Sequence, residues 1–198
     1  MDKEKKFAIW IIIACVSAIG CMICMGCLLT KSVELSVDCF AVDSAGQLYV
    51  GSNGEIRVYE NQQFKYVISE YKGIGDVSVK GAIFTITSDD MITMATGEYV
   101  ITMDLTGNVQ EIQKDDTASV RGRLEGKKNR FVSQSGDVYT IRNQLGRTRI
   151  QKNGGELVYQ ISVFSLWVKV LLTVSVLGFA VTVPVIIIHA LRERMAYR

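Results

Sequence analysis

The side chains best suited to chemistry are cysteines, and four of the five crowd near the amino end: Cys15, Cys21, Cys24 and Cys27. Cys21-Met-Ile-Cys24-Met-Gly-Cys27 repeats a C-x-x-C spacing, which in polar surroundings suits zinc or a dithiol couple. Here the spacing sits inside an apolar run with no acid or histidine beside it. Thiolates in hydrocarbon are costly, so a metal or redox centre is not expected. The same stretch reads instead as small, soft residues on one packed helix face. Ser17, Gly20, Cys21, Cys24 and Gly26 form the expected helix–helix interface. The fifth cysteine, Cys39, stands alone in the central segment and excludes an internal disulfide there. An exported domain without disulfides points to a bacterial source.

The remaining candidates are sparse. His189 is the only histidine, and it lies near the carboxyl end. A Ser-His-Asp triad or a histidine-ligated metal in the central segment is thereby excluded. Asp89-Asp90 and Asp115-Asp116 are paired carboxylates at turn positions, and a calcium loop needs more alternating oxygen ligands than they supply. No catalytic residue, cofactor or metal is expected. Arg121, Arg123, Lys127, Lys128 and Arg130 form a basic cluster opposed only by Glu125. It reads as a solvated connecting loop, with contact to an anionic surface as the functional alternative.

Two apolar runs must frame these residues. Residues 7–29 carry no charged side chain, and their 23 residues reach about 34 Å as a helix, enough for a hydrocarbon core. A second span is expected over 166–191, whose stretch 170–191 is again free of charge. Lys3, Lys5 and Lys6 precede the first run, and Arg192, Arg194 and Arg198 follow the second. Basic flanks resist translocation, so segments 1–6 and 192–198 are expected to be cytoplasmic and the long middle extracytoplasmic. Trp10 and Trp167 fall at interface positions, and Lys169 can snorkel from the same edge. A cleaved signal is the rival for the first run, since Ile12-Ile13-Ala14-Cys15 and Ala18-Ile19-Gly20-Cys21 resemble lipoprotein boxes; the apolar run continues past both cysteines. Pro184 predicts a kink in the second span.

Between the spans, residues 31–162 hold 15 Lys/Arg against 17 Asp/Glu. That balance argues against a nucleic-acid partner. The segment shows no long helical period. It alternates apolar and polar residues between Gly, Asn and Asp turns, as strands do. Gln47–Ser52 and Glu55–Glu60 flank Asn53-Gly54, a two-residue hairpin signal. Cys39–Asp43 in front and Phe64–Ser69 behind complete a four-stranded meander. The pattern recurs from Phe84 and from Phe131, with Val77–Gly81 and Val120–Gly126 as matching lead-ins. Three copies of four strands, starting near 40, 84 and 131, predict blade-like repeats, with a β-trefoil as the alternative.

Asp43-Ser-Ala-Gly46-Gln47-Leu48-Tyr49-Val50 resembles the D-x-x-G-x-L-Y-V pattern of NHL-type and quinoprotein-type propeller repeats. Ser133-Gln-Ser-Gly136-Asp137-Val138-Tyr139 resembles it with Ser for Asp, and the second copy, Thr87–Ile92, lacks the glycine. The whole chain is similar to two-span membrane proteins of Gram-positive gut bacteria that carry such repeats, a group with no assigned activity. The resemblance implies a mainly β extracytoplasmic domain of propeller type between two transmembrane helices, and it transfers no site residue. Propellers close with four to eight blades. Three copies therefore suggest that two chains complete a six-bladed ring.

The expected function is a membrane-anchored, non-enzymatic binding, sensing or assembly module. The alternative is an accessory subunit of a transport or export complex acting through its spans. Expected partners are the lipid bilayer and either a second copy or another membrane protein.

Overall fold

The computed structural model describes residues 3–30, 32–34, 36–52, 54–68, 82–114, 117–144 and 147–196, with backbone only at Lys3, Glu4, Lys6, Glu193, Arg194 and Ala196. It divides into a helical unit, Met1–Val33 with Ser162–Arg198, and a β unit, Glu34–Ile161.

The helical unit is a pair, α1 (Lys3–Leu29) and α3 (Val163–Ala196). Each is long and apolar enough to cross a membrane, over Phe7–Leu29 and Val163–Arg192. The helices run antiparallel, with Phe7 stacked on His189 at one end and the Cys24 thiol 3.7 Å from the Val168 carbonyl nearer the other. Between these contacts the backbones meet where side chains are small. A Cβ at Gly20 would collide with the Ser175 hydroxyl, and one at Gly178 with that of Ser17. This reciprocal seating of serine on glycine is how helices approach closely in lipid. The outward faces are apolar and open: Ile12, Val16, Met22, Leu177 and Val181 are all more than half exposed. Helix α3 continues through Pro184, and Thr182 bonds back to the Gly178 carbonyl at 2.8 Å.

The β unit contains three four-stranded antiparallel sheets. The first is β1 (Cys39–Val42), β2 (Leu48–Ser52), β3 (Glu55–Glu60) and β4 (Gln63–Ile68). The second is β5 (Ile83–Ile86), β6 (Ile92–Ala95), β7 (Val100–Met103) and β8 (Val109–Gln113). The third is β9 (Arg130–Val132), β10 (Val138–Gln144), β11 (Arg147–Lys152) and β12 (Glu156–Gln160). Each is a meander in chain order, and strands pair only within their own sheet. A β-trefoil shares a barrel between its repeats, so that alternative is set aside. Among the described residues no closed propeller ring is formed.

The first hairpin turns explain the common register. In each, the αL position falls at Gly46, Asp90 and Gly136, with φ of 83°, 54° and 85°. The residue three before it accepts the αL amide and donates to the residue after it: Asp43, Thr87 and Ser133. The side chains of those same three residues also accept the closing amides of Gln47, Met91 and Asp137. Asp90 therefore occupies the place of a glycine, which aspartate tolerates better than most residues. Asp104–Asn108 makes the same turn between β7 and β8, with Gly107 at φ 90°. Asn53 and the lead-in Val77–Gly81 lie outside the described residues, while Gly54 takes the positive φ that the hairpin needs.

The first sheet lies between the other two. Cys39, Ala41, Tyr49, Ile56 and Val58 on one face join Phe84, Ile92, Met94, Ile101 and Met103 of the second sheet. Phe40, Val42, Leu48, Val50 and Tyr59 on the other join Tyr139, Ile150 and Tyr159 of the third. Burial on both faces explains why CFAV and LYV read as continuous apolar runs. Alternating side chains of the second sheet point away from the first and meet a helix, α2 (Thr117–Glu125). This helix corrects the expectation of a loop. Its only large apolar residues are a single i, i+4 pair, Val120 and Leu124, too little for a helical period to stand out. Leu124 is nevertheless buried in the second sheet's core.

Candidate functional site

Strand β3 carries the sequence Glu-Ile-Arg-Val-Tyr-Glu. Strand alternation places Ile56 and Val58 toward the second sheet, and Glu55, Arg57 and Tyr59 toward the third. On a two-layer sheet those polar residues would face water. Here the third sheet covers them, and Glu55, Arg57 and Tyr59 are each less than a tenth exposed.

What satisfies them is Glu34, the first residue of the β unit. Arg57 Nη1 donates to Glu34 Oε1 at 3.0 Å, and Arg57 Nη2 to Glu55 at 3.3 Å. The Tyr59 hydroxyl donates to Glu34 Oε1, and the Tyr159 hydroxyl to Glu34 Oε2. The Tyr59 and Tyr159 rings meet edge to face at 5.0 Å. Burial, reinforced by the carboxylate, pushes both phenols well above their usual range, so both remain proton donors. Burial pulls the Arg57 guanidinium down, but Glu34, Tyr59 and Glu55 outweigh it and hold it above its usual value. Buried charge of this kind is retained only when fully paired. The cluster ties Glu34, near the start of the β unit, to Tyr159, near its end.

Tyr59 belongs also to a groove of about 390 Å³ between the first and third sheets. Its walls include Leu48, Tyr139, Lys152, Glu156 and Val158, with the β3–β4 turn at Asn61 and Gln62. That turn holds two consecutive non-glycine residues at positive φ, 49° and 66°. The Gln62 amide spans the groove to the Leu157 carbonyl at 2.8 Å, which holds the turn in this conformation. Lys152 lies over the Tyr139 ring and pairs with Asp137 at 2.8 Å. Hydrogen bonds from Lys152, Asn153 and Ser135 hold the Asp137 carboxyl down to about 2. The volume falls in the range of small-ligand clefts, while the lining is more polar than most such clefts have.

The residues anticipated from sequence are distributed differently. Arg121 and Arg123 are on α2, where Arg121 pairs with Glu125 at 3.1 Å. Lys127 and Lys128 follow in an exposed turn, and Arg130 belongs to β9. Of the helix-interface set, Ser17, Gly20 and Cys24 face α3 of the same chain, Cys21 is half-buried, and Gly26 meets nothing that a Cβ would touch. Asp89-Asp90 is a turn whose Asp90 carboxylate accepts the Ser44 amide at 2.9 Å and the Ser44 hydroxyl. Asp115-Asp116 lies outside the described residues. Among the described residues there is no group of three or more His, Cys, Asp or Glu side chains that could hold a metal.

Sequence reading missed the Glu34 cluster and the groove. The available signal was the parity of β3, where three polar residues share one face with the apolar ends of β1 and β2. No protein-family model matches the chain, and no curated protein matches it in sequence.

Proposed function

We propose that the β unit is an extracytoplasmic, non-enzymatic binding or sensing module, anchored by two membrane spans whose flanks lie in the cytoplasm of a bacterium. The sheets are blades of propeller type, repeated three times. One observation carries this reading: the groove between the first and third sheets shares Tyr59 with the buried Glu34–Arg57 cluster. A small polar ligand in the groove would press on Tyr59, and Tyr59 bonds Glu34, the first residue of the β unit, five positions beyond the end of α1. Occupancy would thereby bias the segments leading to both spans, through Glu34 and Tyr159.

Affinity purification in mild detergent tests the reading, using the full chain and a Val158→Trp variant that fills the groove. A ligand or partner recovered with the parent chain and lost from the variant is the expected result. Recovery unchanged by groove filling, or by removal of the β unit, refutes it. The second reading, an accessory subunit of a transport or export complex, rests on the exposed apolar faces of α1 and α3. A stoichiometric membrane partner retained by the two spans alone supports that one. On either reading the bilayer is one partner, and a second copy or another membrane protein is the other.

A further inference from the structure

The outward face of the third sheet carries a cationic patch that the binding groove does not use. Cross-strand register places Arg142 directly opposite Arg149, Gln144 opposite Arg147, and Thr140 opposite both Arg130 and Gln151. Arg149 is in turn opposite Gln160. Strand alternation sets Arg130, Arg142, Arg147 and Arg149 on the side away from Tyr139 and Ile150. No acidic residue occupies this face. Among the described residues, none of the four arginines pairs with a carboxylate, in contrast to Arg57, Lys65, Arg121 and Lys152.

Like charges directly opposite one another destabilise a sheet. Neutral groups hold two of these guanidiniums, those of Arg147 and Arg149, in place. Arg149 donates to Gln144 Oε1 at 2.6 Å. The Gln160 amide, with its oxygen turned inward, accepts from Arg147 Nη1 at 2.9 Å and Arg149 Nε at 3.0 Å. Amide acceptors fix Arg147 and Arg149 without neutralising them, so the field of the patch stays open to an outside anion. A further apolar sheet could not cover this face without burying four unpaired charges.

Chain connectivity indicates where the anion is. Arg147 Nη2 donates to the Ile161 carbonyl at 3.0 Å, and the Ile161 amide donates to Thr148 at 3.0 Å. The apolar helix α3 begins two residues later, at Val163. Along the strands the arginines recede from this end in steps of about 7 Å, first Arg147, then Arg142 with Arg149, then Arg130. The first steps fall within about one Debye length, roughly 8 Å, of Ile161, the last residue of the β unit.

We propose that the outward face of the third sheet binds the anionic phospholipid headgroups of the membrane that α3 enters. Basic residues near such a surface each raise partition by about fivefold. The full chain, extracted in mild detergent and analysed by native mass spectrometry, should retain phosphatidylglycerol in preference to phosphatidylcholine. Arg142→Gln/Arg149→Gln should lower that retention by about 25-fold, from two such contributions. Arg142→Lys/Arg149→Lys, which keeps the charge, should retain most of it, and Arg121→Gln/Arg123→Gln should change nothing. Equal retention of both lipids by the parent chain overturns the proposal whether or not the glutamine variant folds. So does an equal loss in the α2 variant, or uptake of inorganic phosphate in place of phosphatidylglycerol. A chain that washes off membranes in alkaline carbonate would overturn the membrane placement, and this proposal with it.

Discussion

The two faces of the first sheet are built from the same four strands and do different things. The face toward the second sheet is apolar and close-packed. At Gly51 a Cβ would lie 2.9 Å from Cys39 Sγ and 3.1 Å from the Phe84 ring, so the absence of a side chain is what lets the layers meet. Burial pushes the Cys39 thiol up to about 12, leaving it an inert core residue. The face toward the third sheet is rich in tyrosine, holds a buried ion cluster and opens into a groove. Stability is concentrated on the first face. Polar groups that cost stability, and that respond to what lies beside them, are concentrated on the second.

The most damaging single change expected is Phe84→Ala on the dry face, at about 3–5 kcal/mol from lost transfer and cavity. Chemical denaturation of the full chain in detergent would show a lowered midpoint, with groove binding falling only as the folded fraction falls. Glu34→Ala on the polar face should cost about 3 kcal/mol, because Arg57 is left buried with one carboxylate fewer. Its converse separates the two faces most sharply. Glu34→Leu/Glu55→Leu/Arg57→Met replaces the cluster by apolar groups and should hold or raise the melting temperature, as such replacements can stabilise by about 1–4 kcal/mol. The same variant should abolish any effect of groove occupancy on the spans. A large loss of stability would show that the cluster is a structural rivet. Tyr159→Phe removes one donor to a charged group and should cost about 1.5–3 kcal/mol, with the groove still formed.

The smallest effect is a pH dependence on the dry side. Bonds from Thr106 and Asn108 hold the Asp104 carboxyl at about 2, below its usual 3.8. A carboxyl lowered on folding stabilises in full above its unfolded value and loses that contribution as pH falls from about 4 to about 2. Asp104 is only partly buried, so the slope will be slight, and Asp104→Asn should flatten it in midpoints measured across that range.

Much of this architecture can be read from the chain because its signals are local. Glycine and aspartate at the αL turn positions, and two-residue alternation between them, placed the four strands of the first sheet near their observed bounds, as with Glu55–Glu60, and the starts of the other two sheets near Phe84 and Phe131. Helix α2 escaped because two large apolar residues, an alanine and a glycine in nine make no periodic signal. The Asp104–Asn108 turn was equally legible: Asp-Leu-Thr-Gly-Asn has the same spacing as Asp43–Gln47. The Glu34 cluster was not, because its members lie up to 125 positions apart and its polarity mimics a solvent face. Only the presence of a third layer turns Glu55, Arg57 and Tyr59 inward. The arginines of the third sheet were visible as Arg-x-Arg at 147–149, but their meaning depended on knowing which face lay outward.

The bond between Glu34 and Tyr159 has a further consequence, for modularity. A folded body fastened together close to its two ends can be inserted into any chain that offers two adjacent attachment points, without stretching the host. The β unit has the topology of such a cassette. Transplanted into a tight surface turn of an unrelated protein, residues 34–161 should fold there as an autonomous insert.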